Sequence, residues 1–382
     1  MKLLRYLNMP IRDILPRKMV FIGGPRQVGK TTLSLTFIQP SSPTNPAYLN
    51  WDRATDKSLI LKDQLPFFAK TLIFDEIHKY KKWRALLKGL YDKYHEDHRF
   101  IVTGSARLDY FRKGGDSLLG RYRYLRLHPF SITELNKQPT PNDMQTLLQF
   151  GGFPEMLVLQ NSAELRIWQK ERMNRVISED LRDLENIKEI SLMLMLAELL
   201  PGRVGSPLSL QSLGEDLEVS QPTVARWISH LNHLYYSFTI SPFGSPKIRA
   251  VKKLSKLYLW DWSCIDDPGL RFENLVASHL LKFCHFLEDT HGFGMELRYL
   301  RDTDGREIDF VILKGRKPLF AVECKSGEKA LSPHIHYFLN RTEIPQFFQV
   351  HLGAIDYGNS TQGRVLPFTT FYKELTEKYG DF

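Results

Sequence analysis

Cysteine is scarce in this chain, with three in 382 residues. Cys264, Cys284 and Cys324 are too widely spaced for a disulfide framework or for the paired spacing of a zinc site. A reducing, cytoplasmic setting is therefore the default expectation. Long apolar runs are also missing. No stretch approaches the ~20 residues that a membrane-spanning helix needs, so no membrane partner is expected. The opening Met1-Lys2-Leu3-Leu4-Arg5-Tyr6-Leu7-Asn8 is too short and too interrupted to read as a signal peptide. No internal repeat or low-complexity tract stands out. Acidic residues are in deficit, 43 against 52 Lys and Arg, which leaves a net charge of +9. That balance favours an anionic partner, either nucleotide phosphates or nucleic acid.

What is present is a globular composition, 42% apolar and 25% charged, in a chain long enough for two or three domains. Its most informative segment is Gly24-Pro25-Arg26-Gln27-Val28-Gly29-Lys30-Thr31. Two glycines separated by four residues and followed by Lys and Thr form the phosphate-loop pattern. The context also fits, with an apolar strand Met19-Val20-Phe21-Ile22 before the loop and a helix-compatible run from Thr32 after it. Backbone N–H groups at a helix N-terminus would face the phosphates. Lys30 would reach the β- and γ-phosphates, Thr31 would ligate Mg²⁺, and Thr32 completes the nucleotide-binding set. ATP and Mg²⁺ are the expected ligands.

A second apolar strand, Thr71-Leu72-Ile73-Phe74, ends in Asp75-Glu76. A triphosphate hydrolase needs a carboxylate there for Mg²⁺, which suits Asp75. Glu76 is placed to act as general base on water. Alone, the pair would read more readily as solvated acids after a strand; the phosphate loop tips the reading toward function. A third strand, Arg99 to Val102, ends in Thr103-Gly104-Ser105, where Ser105 or Thr103 could sense the γ-phosphate. Arg121, in Leu119-Gly120-Arg121-Tyr122, is a candidate arginine finger, in cis or toward a neighbouring subunit of a homo-oligomer.

These segments, with Leu127-His128-Pro129-Phe130-Ser131 and Gly151-Gly152-Phe153-Pro154-Glu155, resemble the AAA-type predicted ATPases of bacteria and archaea that carry a C-terminal domain of unknown function. The resemblance runs over nearly the whole chain. It implies ATP binding and hydrolysis by an α/β parallel-sheet core, followed by a winged helix and a restriction-endonuclease-like α/β domain. The preference for adenine comes from the resemblance alone.

Pro- and Gly-rich breaks suggest residues 1–135 as the ATPase core, 136–205 as a helical region, 206–262 as a winged helix and 263–382 as the nuclease-like domain. In the winged helix, Ser220 can cap a helix that carries Gln221, Thr223 and Arg226 toward a DNA groove. Lys247, Arg249, Lys252, Lys253 and Lys256 would hold phosphates from a hairpin. In the last third, Asp309 lies on one strand and Glu323 and Lys325 share a face of the next. Asp309, Glu323 and Glu273 form a candidate metal set, with Lys325 positioning water for phosphodiester hydrolysis. This resembles the PD-(D/E)xK nuclease superfamily, with Ile308 where the motif has proline. A degenerate domain, and an ATP-driven switch acting on protein partners, remain as alternatives. His334-Ile335-His336 would put two histidines on one face of a strand, without a third ligand nearby.

Overall fold

The computed structural model describes residues 4–104, 118–180, 187–244 and 254–382. The chain divides into two units. The first comprises Met1–Pro129 and His233–Tyr235. Its sheet contains β1 (Met19–Gly23), β2 (Tyr48–Asn50), β3 (Thr71–Asp75), β4 (Arg99–Thr103) and β5 (Tyr122–Arg126), in the order β2-β3-β4-β1-β5. All four pairings are parallel. Strands covered on both faces read as continuous apolar runs, and β1 is buried at every position. Phe74 is fully buried beside Phe100, their ring centroids 6.0 Å apart; truncating such a ring costs about 3–5 kcal/mol. The helix Trp83–Tyr94 turns Trp83, Leu87 and Leu90 inward at helical spacing. Parallel pairing gathers every strand's C-terminal end on one edge. The phosphate loop, Asp75 and Thr103 all lie at that edge.

The chain before β1 contributes Leu7, Ile11 and Leu15 to this unit's core. Arg5 is buried, and its guanidinium donates to Val28 O at 2.9 Å and to His128 O. It ties the back of the phosphate loop to the end of β5.

The second unit comprises Phe130–Asn232 and Tyr236–Phe382. Helices dominate its first part, and several are capped as their sequences require. Thr140 and Asp143 form a reciprocal capping box, and Ser220 Oγ accepts from Thr223 N ahead of the helix Gln221–His233. The sheet follows, with β6 (Ser237–Pro242), β7 (Lys256–Leu259), β8 (Met295–Arg301), β9 (Glu307–Lys314), β10 (Lys317–Cys324), β11 (Phe347–His351), β12 (Tyr357–Asn359) and β13 (Gly363–Pro367). Their order is β12-β13-β11-β10-β9-β8-β6-β7. The long helix Pro268–His291 buries Phe272, Leu275, Val276, Leu280, Phe283 and Leu287 against it.

Two expectations change here. The sheet does not break at residue 262, because β6 pairs in parallel with β8 (Ser241 opposite Arg298). The hairpin after the helix pair and the C-terminal strands are one sheet. His334 and His336 lie on the helix Pro333–Leu339, not on a strand. Helical periodicity turns them to different sides, so they make no pair.

Candidate nucleotide site

After β1 the chain turns through Gly24, Gln27 and Gly29, all at positive φ (131°, 63° and 96°), and enters the helix Lys30–Leu35. Glycine is needed at Gly24 for a second reason. A β-carbon there would meet Leu127 O at 2.3 Å. Val28 is fully buried and anchors the loop's underside. Gln27 Oε1 is buried with no hydrogen-bond partner among the described residues. Lys30 Nζ donates to Gly24 O (2.9 Å) and Pro25 O (2.7 Å), so the ammonium lies against the loop it serves. Thr32 is exposed on the first turn.

Asp75 is the hub of the site. Thr31 Oγ1 (3.0 Å) and Tyr48 OH (2.6 Å) both donate to its Oδ2, and Thr103 Oγ1 donates to Oδ1. The register explains the convergence. Asp75 lies opposite Asn50 on one side and Thr103 on the other, and alternation along β2 puts Tyr48 on the face of Asn50. Burial raises the Tyr48 pKa, and the negative charge of Asp75 raises it further. Tyr48 was not among the sequence candidates. A Tyr and an Asn two apart on a strand before the acid-ended strand are the signal that was available.

Glu76 follows at φ 56°, a left-handed conformation held by its N–H donating to Thr103 O at 3.0 Å. Such a backbone costs a non-glycine residue on the order of 1–3 kcal/mol, and here it turns the carboxylate out of the strand direction. Burial raises the Glu76 pKa, as does the charge of Asp75, against the opposing pull of Lys79, Lys30 and Arg26. Lys79 Nζ lies 3.4 Å from Glu76 and 2.6 Å from Asp52. A carboxylate moved toward neutrality is suited to general-base work.

One sequence candidate is not brought to this edge. Arg121 precedes β5, whose Tyr122 pairs with Met19 at the start of β1, whereas the phosphate loop follows the end of β1. Its guanidinium grips Asp92 through Nε (2.6 Å) and Nη2 (3.2 Å). A cis arginine finger is therefore ruled out by strand direction. Ser105 lies outside the described residues, and Thr103 directs its hydroxyl to Asp75.

The acids of the second unit cluster but do not form a ready-made metal site. Among the described residues, no group of three or more His, Cys, Asp or Glu side chains is arranged to hold a metal ion. Each expected ligand already has a protein partner. Asp309 Oδ2 accepts from Cys324 N (2.7 Å), Glu323 Oε1 from Lys325 Nζ (2.6 Å) and Glu273 Oε1 from Tyr258 OH (2.7 Å). Burial and the charge of Asp309 push Glu273 and Glu323 up to about 8. Burial also raises Asp309, against the pull of Lys256. Lys256, expected to hold phosphates, is 1% exposed and ion-paired to Glu307, with Glu273 at 3.8 Å. It cannot reach a nucleic-acid backbone. The other hairpin cations, Lys247, Arg249, Lys252 and Lys253, lie outside the described residues.

Comparison with known proteins adds the following. Residues 16–136 match the model of the AAA domain, residues 141–265 a domain of unknown function (DUF8612) and residues 268–371 a second one (DUF4143). An uncharacterized protein of Methanocaldococcus jannaschii is 23% identical over 380 residues, covering 91% of this chain and 83% of that protein. An uncharacterized protein of Mycobacterium tuberculosis is 23% identical over 248 residues, covering 63% of this chain and 54% of that protein. Among solved structures, the Thermotoga maritima RuvB Holliday junction branch migration motor aligns at TM-score 0.29 and 17% identity, over 61% of this chain and 86% of that one. The Bacillus subtilis DNA clamp loader delta protein aligns at TM-score 0.27 and 11% identity, over 59% and 88%. At these scores the structural likeness carries no argument. The AAA-domain match, the phosphate loop and the parallel sheet give the first unit an AAA-type P-loop ATPase fold.

Proposed function

We propose that the first unit binds and hydrolyses ATP with Mg²⁺. The observation that carries this is the Thr31–Asp75 hydrogen bond of 3.0 Å at the foot of the phosphate loop. It brings together a hydroxyl and a carboxylate, the oxygen donors that Mg²⁺ prefers. When bound, Mg²⁺ neutralises charge on the phosphate oxygens. The loop from Gly24 through Pro25, Arg26, Gln27, Val28 and Gly29 to Thr32 would cradle the phosphates with its backbone N–H groups, of which Pro25 has none. Lys30 exchanges its loop carbonyls for phosphate oxygens. Thr31 and Asp75 hold the metal, and Glu76 takes the proton from the attacking water. Arg121 enters only in trans, in a homo-oligomer. Binding of a fluorescent ATP analogue to the full chain tests the reading. Tight Mg²⁺-dependent binding lost in Lys30→Ala supports it, and equal binding by both proteins rejects it.

A second reading concerns the other unit. Glu323 Oε2 is buried with no hydrogen-bond partner among the described residues, beside Lys325 and Asp309. An orphan carboxylate oxygen there favours a cation, and with it hydrolysis of DNA or RNA phosphodiesters. Glu273 would join only by giving up Tyr258. Incubating labelled DNA and RNA with Mn²⁺ decides the matter. Cutting that disappears in Lys325→Ala supports a nuclease. Intact strands leave an ATP-driven switch acting on protein partners.

A further inference from the structure

The carboxylate of Asp75 is nearly saturated. An ionised carboxylate offers about four lone-pair sites. Thr31 and Tyr48 occupy both sites on Oδ2, and Thr103 occupies one on Oδ1. Among the described residues nothing else bonds the carboxylate, which leaves one acceptor position, on Oδ1.

Tyr48 has its own director. Asn50 Nδ2 donates to the Tyr48 hydroxyl oxygen at 3.2 Å. The amide's orientation is set at its other end, where Asn50 Oδ1 accepts from Asp52 N at 2.8 Å. With its oxygen accepting from Asn50, the phenol's one proton goes to Asp75. The bond is charge-assisted and inside the sheet, where such bonds are stronger than neutral ones. Tyr48 is 5% exposed, and the Arg53 guanidinium lies 5.5 Å from its ring centroid. Packing alone would be satisfied by phenylalanine. The hydroxyl needs another reason, because placing it inside the sheet costs free energy unless it is hydrogen-bonded.

We propose that Tyr48, steered by Asn50, is a positioning residue that fixes the rotation of Asp75 and leaves a single oxygen direction open to the Mg²⁺ that accompanies the nucleotide. This rests on the ATP-binding reading above and extends it to β2, which carries no part of the phosphate-loop or acid-strand motifs. Among the described residues the Tyr48 hydroxyl is hydrogen-bonded only to Asp75 and Asn50, so it acts through Asp75.

The test is the affinity of the full chain for a fluorescent, non-hydrolysable ATP analogue, measured with excess Mg²⁺ and again with EDTA. Wild type, Tyr48→Phe and Asn50→Ala are compared, with thermal melting as the check on folding. Tyr48→Phe should weaken binding about five- to tenfold in Mg²⁺ and leave the EDTA value within about twofold of wild type. Asn50→Ala should move the same way by a smaller factor, since it loosens the phenol without removing it. If Tyr48→Phe binds as wild type in both conditions, or loses equally in both, the hydroxyl is structural and the proposal is overturned. If Tyr48→Phe fails to fold, Asn50→Ala decides between the same outcomes. If wild type itself shows no Mg²⁺-dependent binding, the ATP reading falls and takes this inference with it.

Discussion

A β-carbon on Gly24 would lie 2.3 Å from the carbonyl oxygen of Leu127. The phosphate loop and the exit of β5 are thus packed backbone against backbone, and Leu127 N donates to Gly23 O at 2.8 Å to close the contact. Gly24→Ala must push the two apart or bend the loop, at a φ that L-residues avoid. We expect a loss of roughly 1–3 kcal/mol in stability of the first unit and at least tenfold weaker nucleotide binding. Thermal denaturation with and without nucleotide measures both. Unchanged melting and affinity would show that the loop does not need this close approach.

Glu76→Gln should keep nucleotide binding and lower hydrolysis about 10²- to 10⁴-fold, the usual worth of a positioned base. The pH profile carries a second signature. A base works only when deprotonated, and burial with the charge of Asp75 raises the Glu76 pKa. The wild-type rate should therefore fall as pH drops, beginning above the ordinary carboxylate range. Initial rates at saturating ATP between about pH 4.5 and 8 check this. The acid limb should be absent from the residual rate of Glu76→Gln.

Lys256 is a buried cation whose partners, Glu307 and Glu273, are half-buried. Removing one member of such a pair leaves an uncompensated charge. Lys256→Met should destabilise the second unit by about 3–5 kcal/mol. Lys256→Met combined with Glu307→Gln should recover part of the loss. Chemical denaturation of wild type, Lys256→Met, Glu307→Gln and the double variant measures the coupling, and strictly additive losses would count against the pairing.

His279 supplies a pH dependence in the second unit. Its Nε2 accepts from Ile132 N (3.1 Å) and its Nδ1 lies 2.8 Å from Leu275 O, so the folded form holds a neutral ring. Burial lowers its pKa to about 3. Below the ordinary value of about 6.5, the unfolded chain takes up a proton that the folded chain refuses. Stability should therefore fall as pH drops from about 6.5 toward 3. His279→Leu should be less stable at neutral pH and should lose stability less steeply across that range. Parallel slopes in the two proteins would contradict the assignment.

The sequence disclosed what depends on contiguous residues. The strand, the loop, Lys30 and Thr31 lie within a few positions of each other, and β3 announces itself by four apolar residues before two acids. Tyr48 escaped notice because β2 is three residues long and its partner Asp75 is distant in sequence. Arg121 belongs to a segment adjacent to the core motifs in sequence, but the parallel direction of β5 carries it to the opposite edge. Lys256 was read as exposed because lysine in a hairpin usually is; only the fold reveals Glu307 beside it. Asp309 and Glu323 were correctly placed on neighbouring strands. Their hydrogen bonds to Cys324 N and Lys325 depend on side-chain rotation, which no spacing rule contains.

The central claim is that the first unit hydrolyses ATP at the loop closed by Lys30, Thr31, Asp75 and Glu76. Release of inorganic phosphate from ATP by the full chain tests it most directly, with Mg²⁺ or EDTA and beside Lys30→Ala and Glu76→Gln. The account predicts Mg²⁺-dependent release by wild type that falls at least a hundredfold in both variants. Phosphate release that persists in Lys30→Ala, or wild-type protein that binds Mg²⁺–ATP without ever releasing phosphate, would contradict it.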